Sequence, residues 1–365
     1  MNASLQLIDR LERARREMVR LEVDVVLLSV GRDLPYLIGY EAMPLERLTM
    51  AVIPASGTVT LVVPELEVSR VDPYPEVFDI RAWSETEDPL EIVMQRIGFP
   101  SRVAIGTETW SLFLLGLQQR LPESEFISAA PLLSGLRVCK SPEEIDLLRT
   151  AGAAADRVVA RIAGLKFSGK TEKDMARQIS ELIIEEGHDA TSFVIVAAGV
   201  NSSSPHHEPG VSVIEPGDAV VVDFGGSICG YHSDTTRTFY VGGPSAEHRR
   251  VHETVLEAQH AGYNASGLGV RSEEVDRAAR SVIADAGYAE YFIHRTGHGI
   301  GLDLHEDPYL VEGEETLLRA GMVFSIEPGI YIPGRFGVRI EDIVSLGENG
   351  LQRLNRSTRD PVAVT

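Results

Sequence analysis

The sequence predicts an α+β protein in two parts, an N-terminal α/β unit over residues 1–135 and a larger α+β domain over 136–365. Three observations carry this. Helical and strand periodicities alternate through roughly the first 130 residues, as in a layered α/β unit. A helix-opening signature follows at once: Ser141 can cap, Pro142 fits the first position and Glu144 closes a capping box. Beyond it, helical patterns are joined by β-rich runs suited to antiparallel pairing.

The elements follow in order. Leu5, Ile8, Leu11, Met18 and Leu21 recur at helical spacing and predict an amphipathic helix over about 4–21. VDVVLLSV reads as a buried strand, and LTMAVIP and TVTLVVP, split by Ala-Ser-Gly, as a hairpin. DIRAW, RVAIG and EFISAA add strands, with helical segments near 88–97 and 109–120. No catalytic motif occurs in this unit. In the second part the capped helix runs through Leu148 and Val158 to about Gly164, and another runs from Thr171 to Gly187. Further helices cover roughly 245–264 and 272–286, the last stopped by Gly287. Strands are predicted at FVIVAAG, AVVVDF, TTRTFYV, MVFSIEPGIYI and VRIEDIVSL.

Composition narrows the function. The 365 residues are 44% hydrophobic and 24% charged, ordinary for a globular chain, but the formal net charge is −20. So acidic a chain does not track phosphate backbones, which argues against nucleic acid as a partner. Two cysteines, Cys139 and Cys229, are too few for a disulfide framework. The start, MNASLQLIDRLERARRE, lacks the apolar core of a secretory signal. No stretch approaches the roughly 20 apolar residues of a membrane span. The expectation is a soluble cytoplasmic protein with no membrane partner.

Chemistry gathers in the last 143 residues, where five candidate metal ligands fall in four short segments. VVVDFGGSICGYHSDTTRTFYVGG holds Asp223 and Asp234, HRTGHGIGLDLHEDP holds His298 between His294 and His305, GMVFSIEPGIY holds Glu327, and GVRIEDIVSL holds Glu341. Each acid sits in or beside an apolar strand, where an unpaired carboxylate is costly to bury. Two strand acids alone could lie on a solvated edge, yet Val220–Val222 mark a buried strand before Asp223. Four carboxylates carry a charge of about −4, which two divalent cations neutralise and one does not. Oxygen-rich ligands with one imidazole suit Mn²⁺ first, with Co²⁺ and Zn²⁺ as alternatives. The glycines around His298 let the backbone approach an ion or a substrate closely. Glu327, before Pro328-Gly329, ends or kinks its strand, and Arg339 shares a strand face with Glu341. Arg339 is thereby a partner for a ligand or a contact for substrate.

The segments PHHEP, VDFGG…SDTTRTF, GHGIGLDLHEDP, SIEPGIY and VRIEDIV, in this order over about 190–346, resemble the pita-bread metallopeptidases. The nearest groups are the Xaa-Pro dipeptidases (prolidases) and aminopeptidase P, and the first 135 residues resemble their creatinase-like N-terminal domain. The resemblance implies that Asp223 chelates one metal, Asp234 and Glu341 bridge both, and His298 and Glu327 bind the other. It implies cations that lower the pKa of water to supply hydroxide, with Glu327 as proton carrier. His206 and His305 would steady the oxyanion or the leaving prolyl nitrogen, His294 would line the pocket, and His207 would be a bystander.

One departure matters. In better-known prolidases a longer loop between the His305-type and Glu327-type residues carries an arginine for the substrate carboxylate. Here the stretch is HEDPYLVEGEETLLRAGM, and its one arginine, Arg319, lies beside the Gly-Met turn. Tyr231, in the turn between the two aspartates, and Arg47, in MPLERL, are the expected replacements. The reading is a dinuclear metallopeptidase that cleaves Xaa-Pro dipeptides, as a homodimer. Aminopeptidase P activity on longer peptides is the alternative. A non-catalytic peptide-binding module, as in histone chaperones of this fold, and a metal-independent creatinase-like hydrolase are disfavoured because all five ligands are present.

Overall fold

A six-stranded mixed sheet fills the first of the two units into which the chain separates, Met1–Arg137 and Val138–Thr365; the computed structural model describes residues 3–365. The strand order is Phe78–Trp83, Val59–Pro64, Met50–Pro54, Val25–Leu28, Arg102–Ile105, Glu125–Ser128. Met50–Pro54 and Val59–Pro64 form the expected antiparallel hairpin, and Val25–Leu28 pairs in parallel with Arg102–Ile105. Leu27, Met50, Val62, Val93, Val103 and Leu117 form the centre of its core, each fully buried. The amphipathic helix is Ala3–Arg20. Asp33–Ile38 is a helix that periodicity did not reveal, because six residues with an internal Pro35 carry too short a pattern. It ends at Gly39, whose φ of 75° needs a residue without a Cβ.

In the second unit the capping box forms as the sequence requires. Ser141 Oγ accepts from Glu144 N at 3.3 Å, and Glu144 Oε2 accepts from Ser141 N at 2.7 Å. Helices Pro142–Ile162, Glu172–Glu185, Ala246–Ala265 and Ser272–Asp285 match the four expected. One sheet runs Val362–Val364, Thr235–Val241, Ala219–Ile228, Ala190–Ala198, with Tyr231–His232 on its side. A second runs Glu306–Leu310, Gly297–Gly299, Val323–Ile326, Asp342–Gly347, Gly350–Arg353, and Gly329–Ile332 pairs separately with Phe336–Arg339.

Alternation along Ala219–Ile228 divides its side chains. Val220, Val222 and Phe224 pack with Val158, Ile179 and Ile183 of the first two helices, so Asp223 points to the opposite face. Two predicted strands are each broken in the fold. MVFSIEPGIYI splits at Glu327-Pro328, and VRIEDIVSL splits at Ile340-Glu341, the halves joining different sheets. Pro328 has no N–H to continue a ladder. At the breaks, Glu327 N donates to Thr296 O at 2.8 Å and Glu341 N to Thr236 O at 3.1 Å. Both acids therefore sit where the chain crosses between sheets.

Candidate metal centre

The hairpin brings the two aspartates together as expected: Thr235 pairs with Phe224 and Thr236 with Asp223, with Asp234 just before the strand. His298 enters on the short strand Gly297–Gly299, and its glycines make room for the backbone of the neighbouring strands. A Cβ on Gly297 would lie 2.0 Å from Ser325 O, and one on Gly299 2.1 Å from Asp307 O. Any side chain there would force the strands beside His298 apart.

The five candidate ligands converge in three overlapping groups: Asp223, Asp234 and Glu341; His298, Glu327 and Glu341; and Asp234, His298 and His305. Within each group the potential ligand atoms lie within 4.8 Å of one another. Asp223 Oδ1, Asp234 Oδ1 and Glu341 Oε1 are buried without any hydrogen-bond partner. Their other contacts are short and fix their direction: Arg339 Nη2 donates to Asp223 Oδ2 at 2.6 Å, and Thr236 Oγ1 to Glu341 Oε2 at 2.8 Å. His298 Nδ1 is 3.0 Å from Gly299 O, which sets Nδ1 as the donor and leaves Nε2 as a lone pair. That Nε2 nevertheless faces Glu327 Oε1 at 3.3 Å and Asp234 Oδ2 at 3.7 Å. A lone pair among carboxylate oxygens, with three orphaned oxygens beside it, fits a cation cluster and fits little else.

Electrostatics agree. Burial, then the neighbouring Glu341 and Asp223, raises the Asp234 carboxyl well above its ordinary value. Glu341 is likewise raised well above the usual range by burial and by Glu327 and Asp223. Burial pushes Glu327 up to about 7 against the pull of Arg339, and drops His298 to about 3. Without counter-charge the surroundings favour the protonated form of these carboxyls; divalent cations reverse the sign of that preference.

Arg339 is occupied more fully than the sequence suggested. Besides Asp223 it donates to Tyr331 Oη at 2.8 Å, Thr236 Oγ1 at 3.0 Å and Pro205 O at 3.3 Å. It lines the cavity, and four of its five N–H groups are spent within the protein, one of them holding Asp223, which leaves one for any other partner. His294 is similar. It lines the cavity as expected, yet Nδ1 contacts Arg295 O at 2.7 Å and Nε2 contacts Tyr331 Oη at 2.8 Å, so neither nitrogen is free.

His206 and His305 line the same cavity and are exposed. The His305 ring lies 3.9 Å from that of His298, centroid to centroid. His207 corrects an expectation: it is no bystander. Its Nε2 lies 2.8 Å from Glu172 Oε2, and the fully buried Glu172 also accepts from Ala198 N, Asn201 Nδ2 and Gly210 N. One carboxylate thus fixes both ends of the loop that carries His206, and these donors hold it below the ordinary carboxylate range despite burial.

One expected carboxylate contact, Tyr231, does not line the cavity. The Tyr231 hydroxyl donates to Glu144 Oε1 at 2.6 Å, and the ring packs with Leu148, Ile300 and Val323. The tight turn at Cys229 (φ 49°) and Gly230 returns Tyr231 to the capped helix rather than to the cavity. Arg47 belongs to the first unit and pairs with Glu46 at 2.6 Å and Glu85 at 2.7 Å, so its charge is already matched locally.

The cavity, of about 410 Å³, is lined by residues of the second unit and falls within the roughly 300–1,000 Å³ of small-ligand sites. Sequence reasoning missed its apolar wall of Phe193, Ile195 and Leu304, and it missed Arg295. The wall was detectable: alternation in SFVIV puts Phe193 and Ile195 on one face, and Ile195 pairs directly with Asp223. Arg295 was visible as the arginine three residues before His298.

Comparison with known proteins accords with this geometry. Residues 146–348 match metallopeptidase family M24, and residues 10–139 match the creatinase/prolidase N-terminal domain. The chain is 43% identical to the probable dipeptidase PepE of Mycobacterium tuberculosis, over 93% of this chain and 92% of that one. It is 35% identical to the Xaa-Pro dipeptidase of Lactobacillus helveticus, over 92% and 94%. The crystal structure of dipeptidase PepE from Mycobacterium ulcerans, 42% identical, matches with a TM-score of 0.94 over 99% of both chains. With a two-part fold, a buried acid-and-imidazole cluster and full-length relatives of this kind, the chain belongs to metallopeptidase family M24.

Proposed function

We propose that this metallopeptidase hydrolyses the bond before proline in dipeptides, using two divalent cations, Mn²⁺ first, held by Asp223, Asp234, His298, Glu327 and Glu341. The observation that carries the reading is the set of three orphaned carboxylate oxygens, on Asp223, Asp234 and Glu341, converging beside the His298 lone pair. When bound, the cations neutralise the carboxylates, polarise the scissile carbonyl and lower the pKa of water. The protein's own groups do the rest. Glu327, at the cavity wall beside His298, takes a proton from water and passes it to the leaving prolyl nitrogen. His206 and His305 donate N–H to the carbonyl oxygen as it gains charge. His305 is suited to this in its neutral form, since partial desolvation by the cavity around its otherwise exposed ring, and then Arg295, lower its affinity for a proton. Phe193, Ile195 and Leu304 receive apolar parts of the substrate and exclude water.

Ala-Pro and Ala-Pro-Ala, assayed side by side after chelation and reloading with Mn²⁺, Co²⁺ or Zn²⁺, test this reading. Ala-Pro is expected to be cleaved faster, with Mn²⁺ the best activator. Faster cleavage of Ala-Pro-Ala would make the enzyme an aminopeptidase P, and full activity after chelation would remove the metals from the account.

No helix of the described residues is long and apolar enough to cross a membrane, and free Cys139 and Cys229 suit a reducing cytoplasm, where we place the protein. We also infer a homodimer in which the N-terminal unit of one subunit borders the site of the other. That unit has no chemistry of its own, and its helix Ser111–Arg120 exposes Leu112 and Leu115. Light scattering is expected to give twice the chain mass, and a fully active monomer at assay concentration would refute the dimer.

A further inference from the structure

We propose that Arg295 is the residue that reads the free C-terminal carboxylate of the dipeptide, a role that rests on the dipeptidase reading above. A dipeptide brings its own carboxylate into a cavity that already holds those of Asp223, Asp234, Glu327 and Glu341. Such a group needs a cation or several strong donors beside it. Two arginines line the cavity, and they differ in what they have left to give. Arg339 is buried and spends four N–H groups on protein oxygens. Arg295 is half-buried, and no carboxylate among the described residues pairs with it. Its guanidinium carbon lies 4.3 Å from the centroid of the Tyr309 ring, and Nη2 is 3.4 Å from His305 Nδ1, neither partner an anion.

The surroundings hold Arg295 in place. Asp276, fully buried, accepts from Thr296 N at 3.1 Å and Thr296 Oγ1 at 2.7 Å, fixing the next residue. Arg280 donates to His294 O at 2.8 Å, fixing the preceding one. Tyr309, paired with His298 across the strands, supports the flat guanidinium from below. Such a planar fork, stacked on one face and engaged at its edge only by the long contact to His305 Nδ1, is suited to donate two parallel N–H bonds to a carboxylate. Glu306, opposite Gly299 on the adjacent strand, pairs with Lys140 at 2.5 Å. Arg295 thereby selects a substrate that ends one residue beyond the scissile bond.

The test compares kcat and KM for Ala-Pro and its C-terminal amide in the metal-loaded wild type, Arg295→Gln and Arg295→Lys, with metal content measured alongside. Wild type is expected to favour the acid over the amide by about 10–150-fold, chiefly in KM, the value of one charge-assisted contact. That preference should collapse toward unity in Arg295→Gln and survive in part in Arg295→Lys, with metal content unchanged in both. Calorimetry with L-proline and prolinamide should show the same loss of discrimination without turnover. A preference for the acid that persists in Arg295→Gln would overturn the assignment, as would metal loss in the variant. If the wild type cleaves neither Ala-Pro nor its amide, the dipeptidase reading itself fails. Wild-type cleavage of Ala-Pro with equal losses on acid and amide in Arg295→Gln defeats the inference about Arg295 alone.

Discussion

Asp234→Asn and Glu341→Gln should each abolish turnover, by more than about a thousandfold, since loss of several kcal/mol of transition-state charge stabilisation corresponds to that factor. The reason lies in how the ligand groups overlap. Asp234 and Glu341 share the group with Asp223, and each also belongs to one of the two groups that contain His298. Either residue therefore serves two potential ion positions, whereas Asp223 serves one. The amide variants keep size and shape but supply an N–H in place of a charged oxygen, and that N–H can satisfy the neighbouring orphaned carboxylate. The protein is thus expected to fold and to lose its cations. Turnover and metal content after dialysis are the measurements, and near-normal activity in either variant contradicts a shared two-ion site.

His206→Ala and His305→Ala should lower kcat by about 10²–10³-fold while the protein retains its metal, because removing one donor to a developing oxyanion costs that much. The two histidines differ in their surroundings, which makes the pair informative. His206 lines the cavity from a loop, whereas His305 forms a ligand-distance group with Asp234 and His298. Metal loss in His305→Ala would make this residue a ligand instead. His207→Ala, expected to be silent from sequence, should instead reduce kcat by a smaller factor through the loop that Glu172 anchors. Retained metal with reduced kcat for all three histidines is the predicted pattern.

Much of the site was legible because charge and apolar strand patterning conflict at three of the five ligands. VVVDF, MVFSIE and VRIED each set a carboxylate within a run that must be buried, and only a shared counter-charge resolves this. Helix limits were equally accessible, since caps such as Ser141 with Glu144 are local. The breaks at Glu327 and Glu341 were less so. Proline explains the first, but Ile340-Glu341 has no local breaker and parts only because its two flanks pair with different strands. His207 and Glu172 are 35 positions apart, and nothing in PHHEP announces the pairing. Tyr231 illustrates a related point: it sits near the right chemistry in sequence, yet Glu144 claims its hydroxyl, while Arg47 is paired with Glu46 and Glu85 in the first unit. Arg295 escaped notice because its value depends on what Arg339 has already spent.

The central claim is that four carboxylates and one imidazole exist to hold two cations, and metal titration addresses it most directly. Chelated wild-type protein and Asp234→Asn would each be titrated with Mn²⁺ by calorimetry in buffers of different ionisation heat. The wild type is expected to take up about two ions per chain and to release protons, because burial and like charge favour the protonated forms of Asp234 and Glu341 in the metal-free protein. Asp234→Asn should bind no more than about one ion, weakly. Uptake of a single ion by the wild type, without proton release and with the same isotherm in Asp234→Asn, would contradict the two-ion centre.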